Sequence, residues 1–252
     1  PPTRFKMKIS RELIPVTGFR FGGVNIGLKN ESLDFGGIVA NSPCAAAAVF
    51  TKNNFPGAPV IVGREHVADG KLQAIVVNSK NANVATGAAG INASRNTCLW
   101  LGEELNISPE MILPSSTGVI GRHLDTTKIR TGCKILAKQL GEGIEYSEKF
   151  AKAIMTTDHH PKFAHVVLEE GTKVLGIAKG AGMVEPNMAT MLSYIVTDGD
   201  LDSNELRTAL YQAVNQSFNR ISIDTDTSTS DTVVLISAGH KKTDRKDFQI
   251  AL

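Results

Sequence analysis

The chain has 252 residues, enough to bury a substantial core, and its 42% hydrophobic and 21% charged residues are ordinary for a globular protein. Its 27 Lys and Arg against 25 Asp and Glu exclude both the basic excess of a nucleic-acid binder and an acidic tail. Small molecules are therefore the expected partners.

The sequence carries no recognisable membrane or export signal. No run approaches the roughly 18 apolar residues that a membrane span requires, and residues 1–6 lack the apolar core of a secretion signal. We therefore expect no membrane and no nucleic acid among the partners, and a cytoplasmic location, or an organelle matrix if the source is a eukaryote.

The cysteines and histidines do not form a metal-binding pattern. The cysteines, which are odd in number and lack CxxC spacing, are Cys44, Cys98 and Cys133. They favour a reducing compartment. His159 and His160 adjoin only Asp158, which is more typical of a solvated loop than of a ligand set. We expect no metal.

Apolar, β-branched runs alternate with amphipathic stretches along the chain. In order, they predict a strand at 74–77, helices near 91–105, after the candidate cap Asp125 and near 147–155, strands at 166–168, 174–177 and from Thr190, a helix after the candidate cap Ser203, and a strand at 233–236. This mixture, without a regular repeat or a low-complexity linker, predicts a layered α/β or α+β domain.

Glycines concentrate at a few places in the chain. They lie at 22–23, 36–37, 87–90 and 180–182. Each position indicates either a sharp turn or a close approach of the backbone to a neighbouring group.

The stretch 177–197 has the composition of a strand end, two turns and a second buried strand. Thr190 opens that second strand after Ala189, whose side chain is too small to obstruct attack on its own carbonyl. If the Ala189–Thr190 bond is cut, the freed α-amine, which titrates at roughly 7.7 to 8.0, can take the proton of the hydroxyl. From the residues alone, a plain β-branched strand residue is the favoured interpretation.

Six motifs, spread over most of the chain, favour a catalytic role for Thr190 over a plain strand residue. They are CAAAAVFTKN at 44–53, VNSKNAN at 77–83, PSSTGVIG at 114–121, IMTTD at 154–158, KGAGMVEPNMATML at 179–192 and FNRISIDTDTSTSDT at 218–232. In content and order they resemble motifs of the bifunctional ornithine acetyltransferase/N-acetylglutamate synthase family of arginine biosynthesis.

The resemblance implies the catalytic residues. Thr190 matches the nucleophile and the new N-terminus after self-cleavage, and Ala189 matches the end of the first subunit. Thr117 and Gly118 match the oxyanion hole, in which a hydroxyl and a backbone N–H donate to one developing negative oxygen. Without the resemblance, the segment at 115–118 is an ordinary polar turn.

The resemblance also implies the substrate-binding residues. Lys179 matches a lysine that holds the substrate carboxylate, although a lone lysine is usually a solvated side chain. Thr157 is our choice for the matching substrate threonine, and the adjacent Thr156 stays open. The polar segments 78–83 and 219–231 are expected to shape loops around the site, since such side chains bond their own backbone.

The implied fold is α/β, with layered sheets sandwiched by helices, ornithine acetyltransferase/DmpA-like, with N-terminal-nucleophile chemistry. The implied activity is transfer of acetyl from N2-acetylornithine to L-glutamate through an acetyl-threonine, with no bound cofactor and with acetyl-CoA as an alternative donor in bifunctional members. Residues 1–189 would form the first subunit and 190–252 the start of the second, which lacks the family's C-terminal part. The implied assembly is a heterotetramer of two alpha and two beta cleavage products.

Two positions depart from the family's pattern. Lys80 stands where glycine is usual, and Thr225 stands where glycine is common between two aspartates. A backbone that needs a positive φ at either position would be strained by these side chains.

Two other functions remain open from the sequence. An aminopeptidase or amidase of the same self-cleaving fold would pass the acyl group to water. An uncleaved, non-catalytic relative would keep residues 189 and 190 joined.

Overall fold

The computed structural model describes residues 7–180, 191–221 and 227–252. Ala189, Thr190 and Thr225 lie outside these ranges. The described strands are β1 (Phe19–Val24), β2 (Phe35–Phe50), β3 (Lys71–Asn78), β4 (Ile112–Ser116), β5 (Lys162–Val167), β6 (Lys173–Lys179), β7 (Leu192–Gly199) and β8 (Thr232–Lys241). The described helices are α1 (Ala58–His66), α2 (Gly87–Leu105), α3 (Thr126–Lys138), α4 (Ile144–Ala153), α5 (Ser203–Gln216) and α6 (Arg245–Ala251).

The strands form one eight-stranded sheet that has two halves. Its order is β4-β3-β2-β8-β7-β6-β5, with β1 on β2. The long strand β2 belongs to both halves, because its first part pairs with β1 and β3 and its last part pairs with β8. The β2–β3 register shifts between Val39 and Cys44, where a bulge bends a strand and increases its twist.

Three buried clusters show how these elements are layered. The central cluster draws side chains from both halves of the sheet, including Ile75 and Leu113 from one and Tyr194 and Val234 from the other. A second cluster lies between β5–β8 and the helices α5 and α6. A third lies between β1–β4 and the helices α2 and α3. The two halves therefore face each other and are enclosed by helices, which confirms the layered α/β fold.

The alanine run at 45–48 shows why intrinsic secondary-structure propensities do not predict β2. Alanine is the best helix former, yet these residues form a strand. Ala46 packs into the central cluster and Ala47 into the cluster under α5. Both faces of β2 are thus covered, and alternating small side chains let the layers approach closely.

The glycines of β1 and β2 do not form turns; they let the helices that cover the sheet pack close to its backbone. Gly22 pairs with Gly37, and Gly23 pairs with Gly36, inside the strands. A Cβ at Gly23 would overlap the Lys149 carbonyl oxygen of α4, so this helix can pack on the sheet only at glycine. Likewise, the 87–90 segment is the first turn of α2 and not a loop.

The predicted helices are all present, with three changes at their starts, and the first is that α2 begins at Gly87 and not near residue 91. The predicted strands are present as well, and the one expected from Thr190 is described from Leu192. Asp125 caps α3 by accepting from the Lys128 amide, as expected. For α5 the cap is Asp202 and not Ser203, because Asp202 and Glu205 form a reciprocal capping box. Helix α4 begins three residues earlier than predicted, at Ile144.

Candidate functional site

The two halves of the sheet meet at a polar edge. In one half, the parallel strands β3 and β4 end at Asn78 and Ser116. In the other half, Lys179 at the end of β6 pairs with Leu192 at the start of β7. The Lys179 ammonium donates to the Thr117 hydroxyl at 3.0 Å and joins the two halves. The structure thus brings together two residues that lie 62 positions apart in the chain.

The turn after β4 presents Thr117 and Gly118 differently. The Thr117 amide donates to the Asn78 carbonyl, and the Val119 amide donates to the Lys80 carbonyl. The Gly118 amide between them has no hydrogen-bond partner among the described residues. Thr117 is buried and Gly118 is exposed. The part of the chain that the structure describes thus supplies no acceptor for the Gly118 N–H, which lies at the polar edge.

Glycine is required at position 118. Its φ is +133°, which L side chains rarely adopt, and a Cβ there would overlap the Lys80 carbonyl group. The loops that carry Gly118 and Lys80 are therefore in direct backbone contact, and the shape of one depends on the other.

Lys80 itself has a positive φ of +90°. The backbone at this position therefore has the positive φ that would favour glycine. A lysine here is held in a strained conformation by the surrounding hydrogen bonds, and its side chain is exposed. Whether Thr225 also has a positive φ is not tested, because Thr225 lies outside the described residues.

Among the described residues, Lys179 is the only buried lysine, with 3% of its surface exposed. Besides Thr117, it donates to the Thr156 hydroxyl at 2.7 Å. Burial lowers the pKa of Lys179 to about 8, against the opposing attraction of Asp158. Because Thr117 accepts a hydrogen bond from Lys179, its own hydroxyl proton is left to donate to another acceptor.

Asp158 holds the loop that carries Thr156. Its side chain accepts hydrogen bonds from the Thr156 amide, the Gly180 amide and the Lys162 ammonium. Burial alone would raise the pKa of Asp158, but these hydrogen bonds outweigh it and keep the pKa below its usual value. Asp158 therefore links the 154–158 loop to the end of β6.

Lys29 also holds the 154–158 loop in place, and it was not predicted from the sequence. Its ammonium donates to the Met155 carbonyl at 2.7 Å and to the Leu33 carbonyl at 3.0 Å. Burial lowers the pKa of Lys29, while Asp34 and Asp158 oppose that shift. The partner is 126 residues away in the chain, so no local pattern could have indicated it.

Thr156 and Thr157 occupy different environments. Thr156 is half-buried and contacts Lys179, whereas Thr157 is exposed. The assignment of Thr157 as the substrate threonine stays a prediction, and the geometry favours Thr156 as the residue that organises Lys179.

Asp231, which the sequence assigned only to a loop, lies beside the start of β7. It is wholly buried, and its Oδ1 accepts from the Met191 amide at 2.8 Å. Burial raises the pKa of Asp231 to about 7. Ala189 and Thr190, the predicted cleavage pair, precede Met191 directly and lie outside the described residues.

Within the described ranges, no three His, Cys, Asp or Glu side chains are grouped as metal ligands. Among the helices of those same ranges, none has the length and hydropathy to cross a membrane.

Comparisons with known proteins agree with this architecture. The ArgJ family model matches residues 20–252. The arginine biosynthesis bifunctional protein ArgJ 2 of Clostridium acetobutylicum is 49% identical over 224 residues, which are 88% of this chain and 57% of that protein. The chain spans about half the length of the curated relatives it matches.

Two solved structures extend the comparison. An ornithine acetyltransferase of Mycobacterium tuberculosis, complexed with ornithine, has a TM-score of 0.69 at 29% identity and covers 74% of this chain and 100% of its own. An aminopeptidase of Ochrobactrum anthropi, a variant of the Ntn hydrolase fold, has a TM-score of 0.54 at 11% identity over 94% of this chain and 80% of its own. The second likeness shows the fold alone. On the family match and the relative's identity, this chain belongs to the ArgJ family.

Proposed function

We propose that this chain carries the acetyl-transfer site of a glutamate N-acetyltransferase, which moves acetyl from N2-acetylornithine to L-glutamate in arginine biosynthesis. The observation that carries the proposal is the contact between Lys179 and Thr117 at the edge where the two sheet halves meet. It brings a buried cation and the Thr117 hydroxyl beside the strand that follows Thr190, which supports the proposed oxyanion role of Thr117. The family match and the ornithine complex of the Mycobacterium tuberculosis relative support the choice of substrate.

The proposed reaction begins at Thr190. Its α-amine takes the hydroxyl proton while the hydroxyl oxygen attacks the acetyl carbonyl carbon of N2-acetylornithine. The Thr117 hydroxyl and the Gly118 N–H donate to the oxygen that becomes negative. The carbon–nitrogen bond then breaks, and ornithine leaves with the proton from the ammonium. The amine of glutamate attacks the acetyl-threonine ester in the reverse sense and regenerates the hydroxyl.

Lys179 has a separate role in this proposal. Its ammonium, held by Thr117 and Thr156, binds the carboxylate of the amino-acid substrate. A desolvated cation attracts a carboxylate more strongly than a hydrated one, because the local dielectric is low. The same lysine thus orients both the substrate and the Thr117 hydroxyl.

The lengths of the solved chains support cleavage before Thr190. The Mycobacterium tuberculosis chain is matched over its whole length by 74% of these 252 residues, or about 186 residues. The segment ahead of Thr190 has nearly this length. We therefore propose residues 1–189 and the chain from 190 onward as separate subunits, which assemble as two of each. In bifunctional use, acetyl-CoA would serve as a second acetyl donor.

The first test is the intact mass of the purified chain and of two variants. We expect two fragments that separate at Ala189–Thr190 in the wild type and in Thr208→Ala, an exposed control threonine on α5. Thr190→Ala should remain a single chain. Fragments that persist in Thr190→Ala would show that another residue does the cutting, and an uncleaved but active wild type would refute the mechanism.

The second test follows the acetyl group. Incubation with labelled N-acetylornithine should place one acetyl on the peptide that begins at Thr190, and glutamate should remove it as N-acetylglutamate. Release of acetate at the same rate with and without glutamate would instead indicate an amidase of the same fold. An uncleaved chain that binds ornithine without turnover would indicate the non-catalytic alternative.

A further inference from the structure

Asp231 is anchored at the point where β7 and β8 begin side by side. Its Oδ1 accepts from the Met191 amide at 2.8 Å, and its backbone carbonyl accepts from the Thr51 amide at 3.0 Å. The Thr232 amide in turn donates to the Met191 carbonyl. The carboxyl is therefore held in one orientation next to Met191.

The second oxygen of this carboxyl has no hydrogen-bond partner among the described residues. The Ser228 hydroxyl is near enough to favour the ionised form but does not meet hydrogen-bond geometry. Leaving a wholly buried carboxylate oxygen without a donor is costly. Asp198 Oδ2 also lacks a hydrogen bond, but the Lys241 ammonium lies 3.5 Å from it. Asp231 has no such ion pair among the described residues, so its Oδ2 can accept from a donor that is present in another state of the protein.

Covalent connectivity places Asp231 within one residue of the proposed nucleophile. The Met191 nitrogen that donates to Oδ1 is bonded to the carbonyl carbon of Thr190. The α-nitrogen of Thr190 is separated from that nitrogen only by its own Cα and carbonyl carbon. Among the described residues, the charged group that acts on the pKa of Asp231 is Lys179, and its hydrogen bonds go to Thr117 and Thr156.

We propose that Asp231 is a positioning residue for the mature N-terminus: Oδ1 holds the Met191 amide, and Oδ2 accepts from the α-ammonium of Thr190. This inference rests on the proposed function, because the amine exists only after cleavage. When the amine takes the hydroxyl proton, it becomes a cation in a buried site, and the Asp231 carboxylate stabilises that charge. The proton then passes to the departing ornithine amine, and Asp231 itself neither gains nor loses a bond.

The test compares Asp231→Asn with a matched control, Asp198→Asn. Asp198 is also wholly buried, lies near the other end of β7, and accepts from the Lys173 amide. Its other oxygen lies 3.5 Å from the Lys241 ammonium, so it too is a carboxylate near a lysine. Asparagine keeps the size and one acceptor oxygen but removes the negative charge. We expect Asp231→Asn to cleave and fold, and to form acetyl-Thr190 about 10- to 100-fold more slowly. Asp198→Asn should acetylate at the wild-type rate.

A second measurement compares the Thr190 α-amine in the wild type and in Asp231→Asn, and self-cleavage of the variant shows that it is folded. Competitive labelling across a range of pH gives the pKa of that amine in each protein. Burial lowers both values, so the carboxylate should make the pKa higher in the wild type than in Asp231→Asn. Equal pKa values, or wild-type acetylation by Asp231→Asn, would overturn the role of Asp231 alone. A wild-type chain that is never cleaved would overturn the proposed function as well.

Discussion

The ammonium nitrogen of Lys179 lies 3.0 Å from the hydroxyl oxygen of Thr117 and connects the end of β6 to the turn after β4. The two residues belong to opposite halves of the sheet. One contact therefore has two effects, since it dehydrates the lysine and directs the free hydroxyl proton of Thr117 away from it. Both effects lead to experiments on the proposed acetyltransferase.

The first prediction concerns pH. Burial lowers the pKa of Lys179 from 10.5 to about 8, so the ammonium is present below pH 8 and is lost as the pH rises through that value. The KM for N-acetylornithine should therefore rise above about pH 8, because the substrate carboxylate loses its cation. Initial rates measured from about pH 6.5 to 9.5 give this profile.

The control for this profile is Lys179→Arg. Guanidinium stays charged throughout the range, so the rise in KM should disappear in any variant that retains measurable activity. A wild-type KM that is constant across the range would show that Lys179 does not bind the carboxylate as an ammonium.

The second prediction separates the two adjacent threonines. Thr156→Val removes an acceptor from the buried Lys179 while keeping the shape of the side chain. A hydrogen bond to a charged group contributes about 1.5 to 3 kcal/mol, so KM should rise roughly 10- to 100-fold. Thr157→Val, at the exposed neighbour, should leave KM within about twofold of the wild-type value. The reverse ranking would favour Thr157 as the substrate residue.

The third prediction concerns strain beside the oxyanion turn. Lys80 holds a φ of +90°, which glycine adopts without a Cβ penalty. Lys80→Gly should therefore raise the free energy of unfolding by about 1 kcal/mol, after the greater entropy of the unfolded glycine is included. Urea unfolding measures it. Lys80→Ala keeps the Cβ and should give no comparable gain, so equal stabilisation by both variants would contradict the explanation from strain.

The fourth prediction tests why glycine stands in the paired strands. Gly23→Ala forces a Cβ into the Lys149 carbonyl of α4 and should lower the free energy of unfolding by about 3 kcal/mol. Gly176, in β6, has no atom closer than 3.9 Å to an added Cβ, so Gly176→Ala should change it by less than about 0.5 kcal/mol. Similar losses in both variants would mean that the strand backbone, and not contact with α4, requires glycine.

Much of the element pattern was readable from local sequence. The runs at 74–77, 174–177 and 233–236 form β3, β6 and β8, and Asp125 caps α3. These elements were predictable because their signals are local: β-branched apolar runs, helical spacing and a side chain that bonds its own helix start. The paired glycines and the alanines of β2 gave no such signal, since their purpose is to let a distant layer approach.

The sequence by itself determined which residue types stand in the family's order, and hence the expectation of a threonine nucleophile, an oxyanion pair and a substrate lysine. Only the tertiary structure decided that Lys179 contacts Thr117 and Thr156, that Lys29 and Asp158 hold the same loop, and that Asp231 is buried beside Met191. The physical reason is that these contacts join separate parts of the folded sheet. Burial and its pKa shifts arise only when those parts meet.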